Sequence, residues 1–220
     1  MTVPTFPLGD MTVMGEPGQL PVRMWKALAA ISLRAHPAYD EVSGFPPGTS
    51  RDKCLFMSLA VRDFLVQIGF EDATVRGCAL YMRADDNDGE EIWSLGIGIP
   101  GLPDEEDKFN GHAVVTVPSL KLLIDTTMYQ AMRPHWLDAI SGMAALPYHE
   151  PWHNQLIHQR PTIAGIEMTY PDRTMMAAWL DRPELPWRKA DDFRVRNGRR
   201  LAVTKAMREA FAGQQKTGPG

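Results

Sequence analysis

The stretch Ser50-Arg51-Asp52-Lys53-Cys54-Leu55-Phe56-Met57-Ser58 opens an almost wholly apolar segment that continues to about Ile68. Its apolar residues recur at the spacing of one helical face, so we predict a helix here, with Ser50 or Asp52 capping its start and Gly69 following its end. Only four residues between the cysteine and Ile68 are polar, which means that protein has to cover most of this helix. The predicted face consists of Cys54, Met57, Val61, Phe64, Leu65 and Ile68.

The position of Cys54 in the first turn of this helix gives its thiol a particular environment. Backbone N–H groups are exposed at a helix start and the helix dipole is positive there, and both effects favour the thiolate over the thiol. Most free cysteines, by contrast, are small buried hydrophobic residues. The segment taken alone is compatible with either role.

Two strands are predicted farther along the chain, over residues 110–117 and 120–125, with Pro118-Ser119 marking the turn between them. A connecting loop with an even number of residues, either 118–119 or 117–120, places His112 opposite Asp125, on the same face of the sheet and with Cβ atoms about 5 Å apart. A loop with an odd number sends the two side chains to opposite faces. The pairing of His112 with Asp125 is therefore conditional on the loop.

His112 and Asp125 on one face would complete a catalytic group with Cys54. A carboxylate holds a neighbouring imidazole in one tautomer and stabilises it once it is protonated. A thiol at a helix start, with a histidine and a carboxylate on adjacent strands, is the arrangement of nucleophile, base and orienting acid used in thiol catalysis. We therefore predict a triad of Cys54, His112 and Asp125.

This order of residues and elements resembles the transglutaminase-like branch of the papain-like cysteine proteinase superfamily, which includes the arylamine N-acetyltransferases. The similarity covers roughly residues 45–130. It implies an α+β fold in which the helix carrying the cysteine packs on a mainly antiparallel sheet, and it implies that the predicted triad is catalytic. The matching parts are Cys54 opening a hydrophobic helix, Gly69-Phe70 turning into a strand over 73–82, Gly111-His112 opening a strand, and Ile124-Asp125-Thr126 after a short hairpin.

Two departures limit what the resemblance implies about the reaction. Transglutaminases commonly carry an aromatic residue after the cysteine, where this chain has Leu55. The acetyltransferases carry an Arg-Gly-Gly-x-Cys run, where this chain has Ser50-Arg51-Asp52-Lys53-Cys54. The resemblance therefore extends neither to the use of acetyl-CoA nor to protein crosslinking.

The predicted activity is covalent thiol chemistry on an acyl group, with an amide- or peptide-containing substrate and no requirement for a metal or organic cofactor. Hydrolysis is preferred, because water needs no binding site of its own, and transfer of the acyl group to an amine stays open. One alternative from another class is a non-catalytic binding module that keeps the fold. A second alternative is a zinc hydrolase at His149 and His153.

The zinc alternative rests on the sequence His149-Glu150-Pro151-Trp152-His153, which satisfies the H-E-x-x-H pattern. That pattern binds zinc when both histidines lie on one face of a continuous helix. Pro151 removes a helical hydrogen bond and restricts Glu150 to non-helical conformations. A surface loop rich in histidine and aromatic residues is the preferred interpretation.

Composition and charge narrow the functional classes. The chain has 220 residues, which is most simply one domain, and its formal charge of −4 and pI near 5.9 give no general attraction to nucleic acid or to an anionic membrane. No apolar run is long enough to span a bilayer, and the first residues do not resemble a signal peptide. Two cysteines do not form a disulfide framework, so a reducing cytoplasm is the expected location. We expect an irregular N-terminal arm over 1–19, a single domain over 20–212 and a disordered tail over 213–220, with the oligomeric state open.

Nine acidic residues and no basic ones lie between residues 84 and 107, in clusters at 85–91 and 104–107 around a predicted strand at 92–99. Two interpretations remain open for these clusters. They form either an acidic rim that selects cationic substrates, or ordinary solvated hairpin loops.

The remaining elements are predicted as a packing framework. A helix begins at Pro21 and ends near Arg34, before His36-Pro37, and a further strand covers 163–170. Short helices are predicted over 134–143 and 174–180. Basic residues between 188 and 208 indicate a solvated strand and helix rather than a nucleic-acid site, because aromatic residues are nearly absent among them.

Overall fold

The computed structural model describes residues 8–14, 19–99, 111–131, 141–154, 160–185, 187–189 and 198–214. In these ranges the protein is a mixed α+β fold, with three α-helices and a curled, mainly antiparallel sheet of nine strands. The α+β class and the mainly antiparallel sheet agree with the prediction from sequence.

The three helices pack together on one face of the sheet. Helix α1 (Val22–Ser43) and helix α2 (Cys54–Gln67) both contact helix α3 (Gly198–Gly213). Helix α2 also lies against the sheet, chiefly on the strand that begins at His112. None of the helices in the described ranges is both long enough and apolar enough to cross a membrane.

The nine strands of the sheet are β1 (Met11–Val13), β2 (Thr74–Asp86), β3 (Glu91–Ile97), β4 (His112–Val117), β5 (Leu122–Asp125), β6 (Met143–Pro147), β7 (Trp152–Asn154), β8 (Arg160–Thr169) and β9 (Arg173–Asp181). Their order in the sheet is β1-β6-β5-β4-β2-β9-β8-β7, and β3 pairs with the outer half of the long strand β2. Neighbouring strands are antiparallel except for β1 and β6, which are parallel. Strand β1 lies within the segment that the sequence predicts to be an irregular arm.

Two apolar cores lie on the two faces of this sheet. The first is formed between the helices and the face of β4, β5 and β6 that carries Val115, Ile124 and Ala145. The second lies on the opposite face, inside the curl of the sheet, and is centred on the fully buried Trp179 of β9. Since successive strand residues alternate between faces, the neighbours of Val115 and Ile124 point into the second core.

Helix α2 is the buried central helix that its sequence predicts. Its first eight residues are all buried, and Gly69 follows its end with φ of 93°, a left-handed conformation that favours glycine. The predicted cap is wrong, because Ser50 and Asp52 belong to a short 3-10 helix (Thr49–Asp52) and Lys53 occupies the cap position. Among the described residues, no side chain caps the start of α2.

Helix α1 is longer than the sequence predicts. It continues through Pro37 to Ser43 and ends at Gly44, which has φ of 71°. A proline inside a helix loses one backbone hydrogen bond. The buried Tyr39 beyond the proline packs in the first core, with its ring 5.0 Å from that of Phe56, and this packing offsets the loss.

The prediction of a short helix over 174–180 is wrong, because these residues belong to strand β9. Their methionine, alanine and leucine content favours helix, but β9 lies between β2 and β8 and pairs with both. Met175, Ala177 and Trp179 point into the second core while Ala178 and Leu180 pack on the other side. Burial on both faces overrides the local preference.

Several predicted features lie wholly or partly outside the described residues. The acidic cluster at 104–107 is one of them, and the predicted helix at 134–143 is described only from residue 141 onward, where Met143 begins β6. Within the basic segment, α3 begins at Gly198 and residues 190–197 lie outside.

Candidate active site

The β4–β5 hairpin places His112 and Asp125 on the same face of the sheet. Val117 pairs with Leu122, so residues 118–121 form a connection with an even number of residues, as the prediction required. The register differs from the predicted one by two residues, because it places Asp125 opposite position 114. The two side chains are therefore diagonal neighbours on one face rather than directly opposite.

The imidazole of His112 and the carboxylate of Asp125 form a direct and fully buried hydrogen bond. Nε2 of His112 lies 2.6 Å from Oδ2 of Asp125, and both side chains are 0% exposed. Burial alone would lower the pKa of His112, but the charge of Asp125, its hydrogen bond and the neighbouring Cys54 together raise that pKa well above its ordinary value. The structure thus favours the imidazolium form.

Both carboxylate oxygens of Asp125 accept further hydrogen bonds. The indole Nε1–H of Trp179 donates to Oδ2 at 2.7 Å, and the backbone N–H of Thr127 donates to Oδ1 at 2.8 Å. Burial alone would raise the pKa of Asp125, but the charge of His112 and the donated hydrogen bonds lower it below its ordinary value. Asp125 is therefore held as a carboxylate.

Cys54 reaches this pair from the first turn of α2. Its thiol lies 3.8 Å from the carbonyl oxygen of Gly111, the residue before β4, and it packs with Ala113. His112 begins β4 directly after Gly111, so the thiol lies beside the start of the strand that carries the imidazole. Only 5% of Cys54 is exposed, so the residue is almost completely buried.

Gln130 completes the surroundings of the imidazole. Its side-chain oxygen lies 3.0 Å from Nδ1 of His112, and it belongs to a short 3-10 helix (Met128–Ala131) that follows β5. Because Asp125 occupies Nε2, we infer that Cys54 and Gln130 share the Nδ1 side of the ring. An imidazolium donates from both nitrogens, so Nδ1–H can be directed to either partner.

The structure therefore brings together the three residues predicted from sequence and adds three that the prediction missed. Thr127 follows Asp125 by two residues, a spacing at which an aspartate commonly accepts a hydrogen bond from the backbone, so the sequence contained a signal for it. Gln130 and Trp179 have no such signal, because they meet the site through the turn after β5 and through long-range strand pairing.

Cys78 lies close to this site but in a different role. It pairs directly with His112 across β2 and β4, and its side chain is fully buried in the second core. Burial is the main reason that the pKa of the Cys78 thiol is raised well above its ordinary value. Cys78 is therefore a core residue, and neither cysteine forms a disulfide.

The zinc alternative lacks the secondary structure that its motif requires. Residues 152–154 form strand β7, which pairs with β8, so the H-E-x-x-H sequence does not lie on the helix that a zinc site of this type needs. In the described part of the chain, no three histidine, cysteine, aspartate or glutamate residues are grouped closely enough to hold a metal ion.

The acidic cluster at 85–91 forms the hairpin between β2 and β3. Oδ1 of Asp86 accepts backbone hydrogen bonds from Asp88 and Glu90, each at 2.9 Å, and Asp85 pairs with Arg83 at 2.5 Å. These contacts show that part of the cluster stabilises its own turn.

Comparison of the chain with models of protein families, with curated proteins and with solved structures finds no match.

Proposed function

We propose that the protein catalyses acyl chemistry through Cys54, with His112 as acid and base and Asp125 as the orienting group. The observation that carries this proposal is the buried His112–Asp125 pair at the start of β4, with a thiol at the start of a helix beside that strand. The helix on a mainly antiparallel sheet, with cysteine, histidine and aspartate in that chain order, further supports the resemblance to the transglutaminase-like branch.

The proposed reaction begins from an ion pair. His112 carries a proton and Cys54 is a thiolate, which attacks the carbonyl carbon of an amide or ester. As the resulting tetrahedral intermediate collapses, the carbon–nitrogen or carbon–oxygen bond breaks and His112 gives its proton to the leaving group. The products of this half-reaction are a thioester on Cys54, a free amine or alcohol and a neutral imidazole.

The second half-reaction restores the ion pair. Neutral His112 takes a proton from water as the water oxygen attacks the thioester, and the carbon–sulfur bond breaks to release a carboxylic acid. An amine that replaces water would give acyl transfer. We favour hydrolysis of an amide or peptide bond, because water requires no acceptor site.

The same arrangement supplies candidates for stabilising the oxyanion of the tetrahedral intermediate. The first N–H groups of a helix have no intrahelical partner, so the backbone N–H of Cys54 is available as one donor. The side-chain amide of Gln130 is our candidate for the second donor, because its oxygen already contacts the Nδ1 side of His112, where Cys54 lies.

The mechanism requires a reduced thiol, and both cysteines are free. This requirement fits a reducing compartment such as the cytoplasm. The proposed substrate is an amide or a peptide, with a preference for cationic groups if the acidic cluster at 85–91 contributes to binding.

A non-catalytic binding module is the second candidate, and the low exposure of the site favours it. Cys54 is 5% exposed, and His112 and Asp125 are fully buried. A thiol with so little exposure reacts only if an acyl group can reach the sulfur. The test of the proposed function therefore uses a small acyl donor.

Reaction with p-nitrophenyl acetate distinguishes the two candidates. The catalytic proposal expects release of p-nitrophenol, an acetyl group on Cys54 that peptide mass mapping locates, and recovery of free Cys54 as the thioester hydrolyses. Cys78→Ala is the matched control and should keep this activity, while Cys54→Ala and His112→Ala should lose it. A wild-type protein that acquires no acetyl group on Cys54 would favour the binding module.

A further inference from the structure

His36 is not part of the triad, yet it hydrogen-bonds to the segments on both sides of it. From α1, its Nδ1 lies 2.8 Å from the hydroxyl of Ser50, in the 3-10 helix that leads into Cys54. Its Nε2 lies 2.7 Å from the carbonyl oxygen of Thr126, the residue after Asp125. One imidazole ring therefore joins the approach to the nucleophile with the segment that follows the acid.

The partners of His36 define its tautomer. A carbonyl oxygen can only accept, so Nε2 carries the proton that is donated to Thr126. In the neutral ring, Nδ1 then accepts the proton of the Ser50 hydroxyl at 2.8 Å, in preference to Oδ1 of Asp40, which lies 3.5 Å from the same hydroxyl. Burial lowers the pKa of His36 below its ordinary value, with a smaller opposing effect from the bond to Thr126, and this favours the neutral ring.

A second contact joins the same two segments. The guanidinium of Arg51 lies 4.6 Å from the ring centre of Tyr129, and the edge of that ring meets His36 at 5.2 Å between ring centres. Tyr129 immediately precedes Gln130, whose side chain contacts His112. The position of the Gln130 side chain is thereby linked to the turn before α2.

Ser50 contacts His36 and does not cap helix α2. Serine at a helix start commonly caps the helix, and the sequence predicts that role for Ser50. Its hydroxyl instead donates to His36, while the start of α2 has no side-chain cap among the described residues. The 3-10 helix before Cys54 is therefore held to α1 by a side-chain contact, in addition to its own backbone hydrogen bonds.

We propose that His36 is a positioning residue of the site, which holds the start of α2, and with it Cys54, in register with the segment that carries Asp125 and Gln130. This inference rests on the proposed function, since it concerns the geometry of the thiol reaction. It adds to the triad and Gln130 a further side chain on which the reaction depends, although that side chain touches none of the reacting atoms.

The test measures the rate of Cys54 acetylation by p-nitrophenyl acetate in folded variants, together with their unfolding free energies. His36→Ala and Ser50→Ala should each slow acetylation about 10- to 100-fold, as expected when reacting groups are displaced by up to about 1 Å. The double variant should be no slower than His36→Ala, because the hydrogen bond that Ser50→Ala removes is already absent there.

A conservative variant and a matched control separate positioning from general stability. His36→Asn keeps an amide oxygen near the place of Nδ1, can still accept from Ser50, and should recover most of the rate. Ser32→Ala removes a different α1 side-chain hydrogen bond, to the carbonyl oxygen of Leu8, and should leave the acetylation rate unchanged. If His36→Ala does not fold, Ser50→Ala and His36→Asn carry the comparison.

The outcomes distinguish this inference from the proposed function. One pattern of rates would overturn the role of His36 alone. In that pattern, acetylation of the wild type depends on His112, while Ser50→Ala, His36→Asn and Ser32→Ala all react at the same rate, and His36→Ala is no slower. A wild-type protein in which Cys54 is not acetylated would overturn the proposed function and the positioning role together.

Discussion

Asp125 accepts hydrogen bonds on both of its oxygens although it is completely buried. His112 and Trp179 donate to Oδ2, and Thr127 donates to Oδ1. An isolated buried carboxylate would be strongly destabilising, and it is tolerated when its hydrogen-bonding capacity and charge are satisfied. The cost of burying Asp125 is therefore offset by the same contacts that fix its orientation toward His112.

Trp179→Phe tests the contribution of the indole donor to this carboxylate. The variant keeps an aromatic ring in the second core but removes the N–H, so we expect a loss of about 1.5–3 kcal/mol in the free energy of unfolding, as for a hydrogen bond to a charged group. Urea denaturation measures this change.

Trp25→Phe is the matched control. Trp25 is also buried, but its indole N–H has no hydrogen-bond partner in the described part of the chain. The control should lose only the packing of the larger ring. Equal losses in the two variants would show that the bond from Trp179 to Asp125 contributes nothing specific.

Gln130→Ala tests the candidate oxyanion donor. Removing such a donor typically lowers the rate about 100- to 1,000-fold, so acetylation by p-nitrophenyl acetate should fall by that order. Alkylation of Cys54 by iodoacetamide forms no oxyanion at a carbonyl and should change little. If both reactions fall equally, Gln130 acts on the thiol or on His112 rather than on the oxyanion.

The three residues of the proposed triad could be predicted because each has a local signal. Cys54 opens an apolar helix, and the alternation of strand residues gives the face shared by His112 and Asp125 for any loop with an even number of residues. The exact register depends on the four-residue connection, and the predicted register differs from the observed one by two residues. Trp179 could not be found, because no local pattern connects β9 with β5.

The connection between β4 and β5 contains the only non-glycine residue with a positive φ in the described ranges, Lys121, at φ of 47°. It follows the short 3-10 helix Pro118–Leu120, and its carbonyl oxygen accepts from the backbone N–H of Tyr148. A side chain in this conformation costs about 1–2 kcal/mol. The hairpin that aligns His112 with Asp125 is thus closed by a strained residue.

Lys121→Gly should relieve this strain. The gain is reduced by about 0.5–1 kcal/mol because glycine loses more backbone entropy on folding, which leaves a net stabilisation of up to about 1 kcal/mol. Ser119→Gly, in the same connection but without a positive φ, should destabilise instead. Thermal unfolding of the two variants measures both changes, and a destabilised Lys121→Gly would contradict the account of this turn.

The errors in the predicted elements share a physical cause, which is burial by distant parts of the chain. Helix α1 passes through Pro37 because Tyr39 packs in the first core beyond it. Strand β9 forms because β2 and β8 pair with both of its edges. Helix α2 was predicted nearly to the residue, since its apolar content specifies burial regardless of which elements cover it.

The free energy of unfolding of the whole protein should depend on pH through the ionisation of the His112–Asp125 pair. The pKa of His112 is raised on folding, so its contribution is fully present below about pH 6.5, the ordinary histidine value, and is lost as the pH rises through the folded pKa. The pKa of Asp125 is lowered, so its contribution is present above about pH 4 and is lost as the pH falls through the folded pKa.

This test uses Cys54→Ala as its background, because in the proposed ion pair the proton on His112 comes from Cys54 and the two contributions cancel. In that background we expect the free energy of unfolding to fall between about pH 6.5 and 8, by no more than about 1.4 kcal/mol per pH unit. His36, whose pKa is lowered, contributes a change only below that range. In Asp125→Asn, burial becomes the dominant influence on His112 and keeps its pKa low, so the decline should disappear. Urea denaturation at several pH values measures it, and an unchanged decline in the variant would contradict the assignment.

The most direct test of the central claim is the rate at which iodoacetamide alkylates Cys54 in the folded protein at about pH 6, where an isolated thiol is almost wholly protonated. The account predicts that Cys54 reacts much faster than Cys78 and than a free thiol, because a neighbouring imidazolium and a helix start generally make a thiol more reactive. His112→Ala should remove much of this advantage, and Asp125→Asn a smaller part. If Cys54 reacts no faster than a free thiol and His112→Ala makes no difference, while the denatured protein is labelled normally, the catalytic account is contradicted.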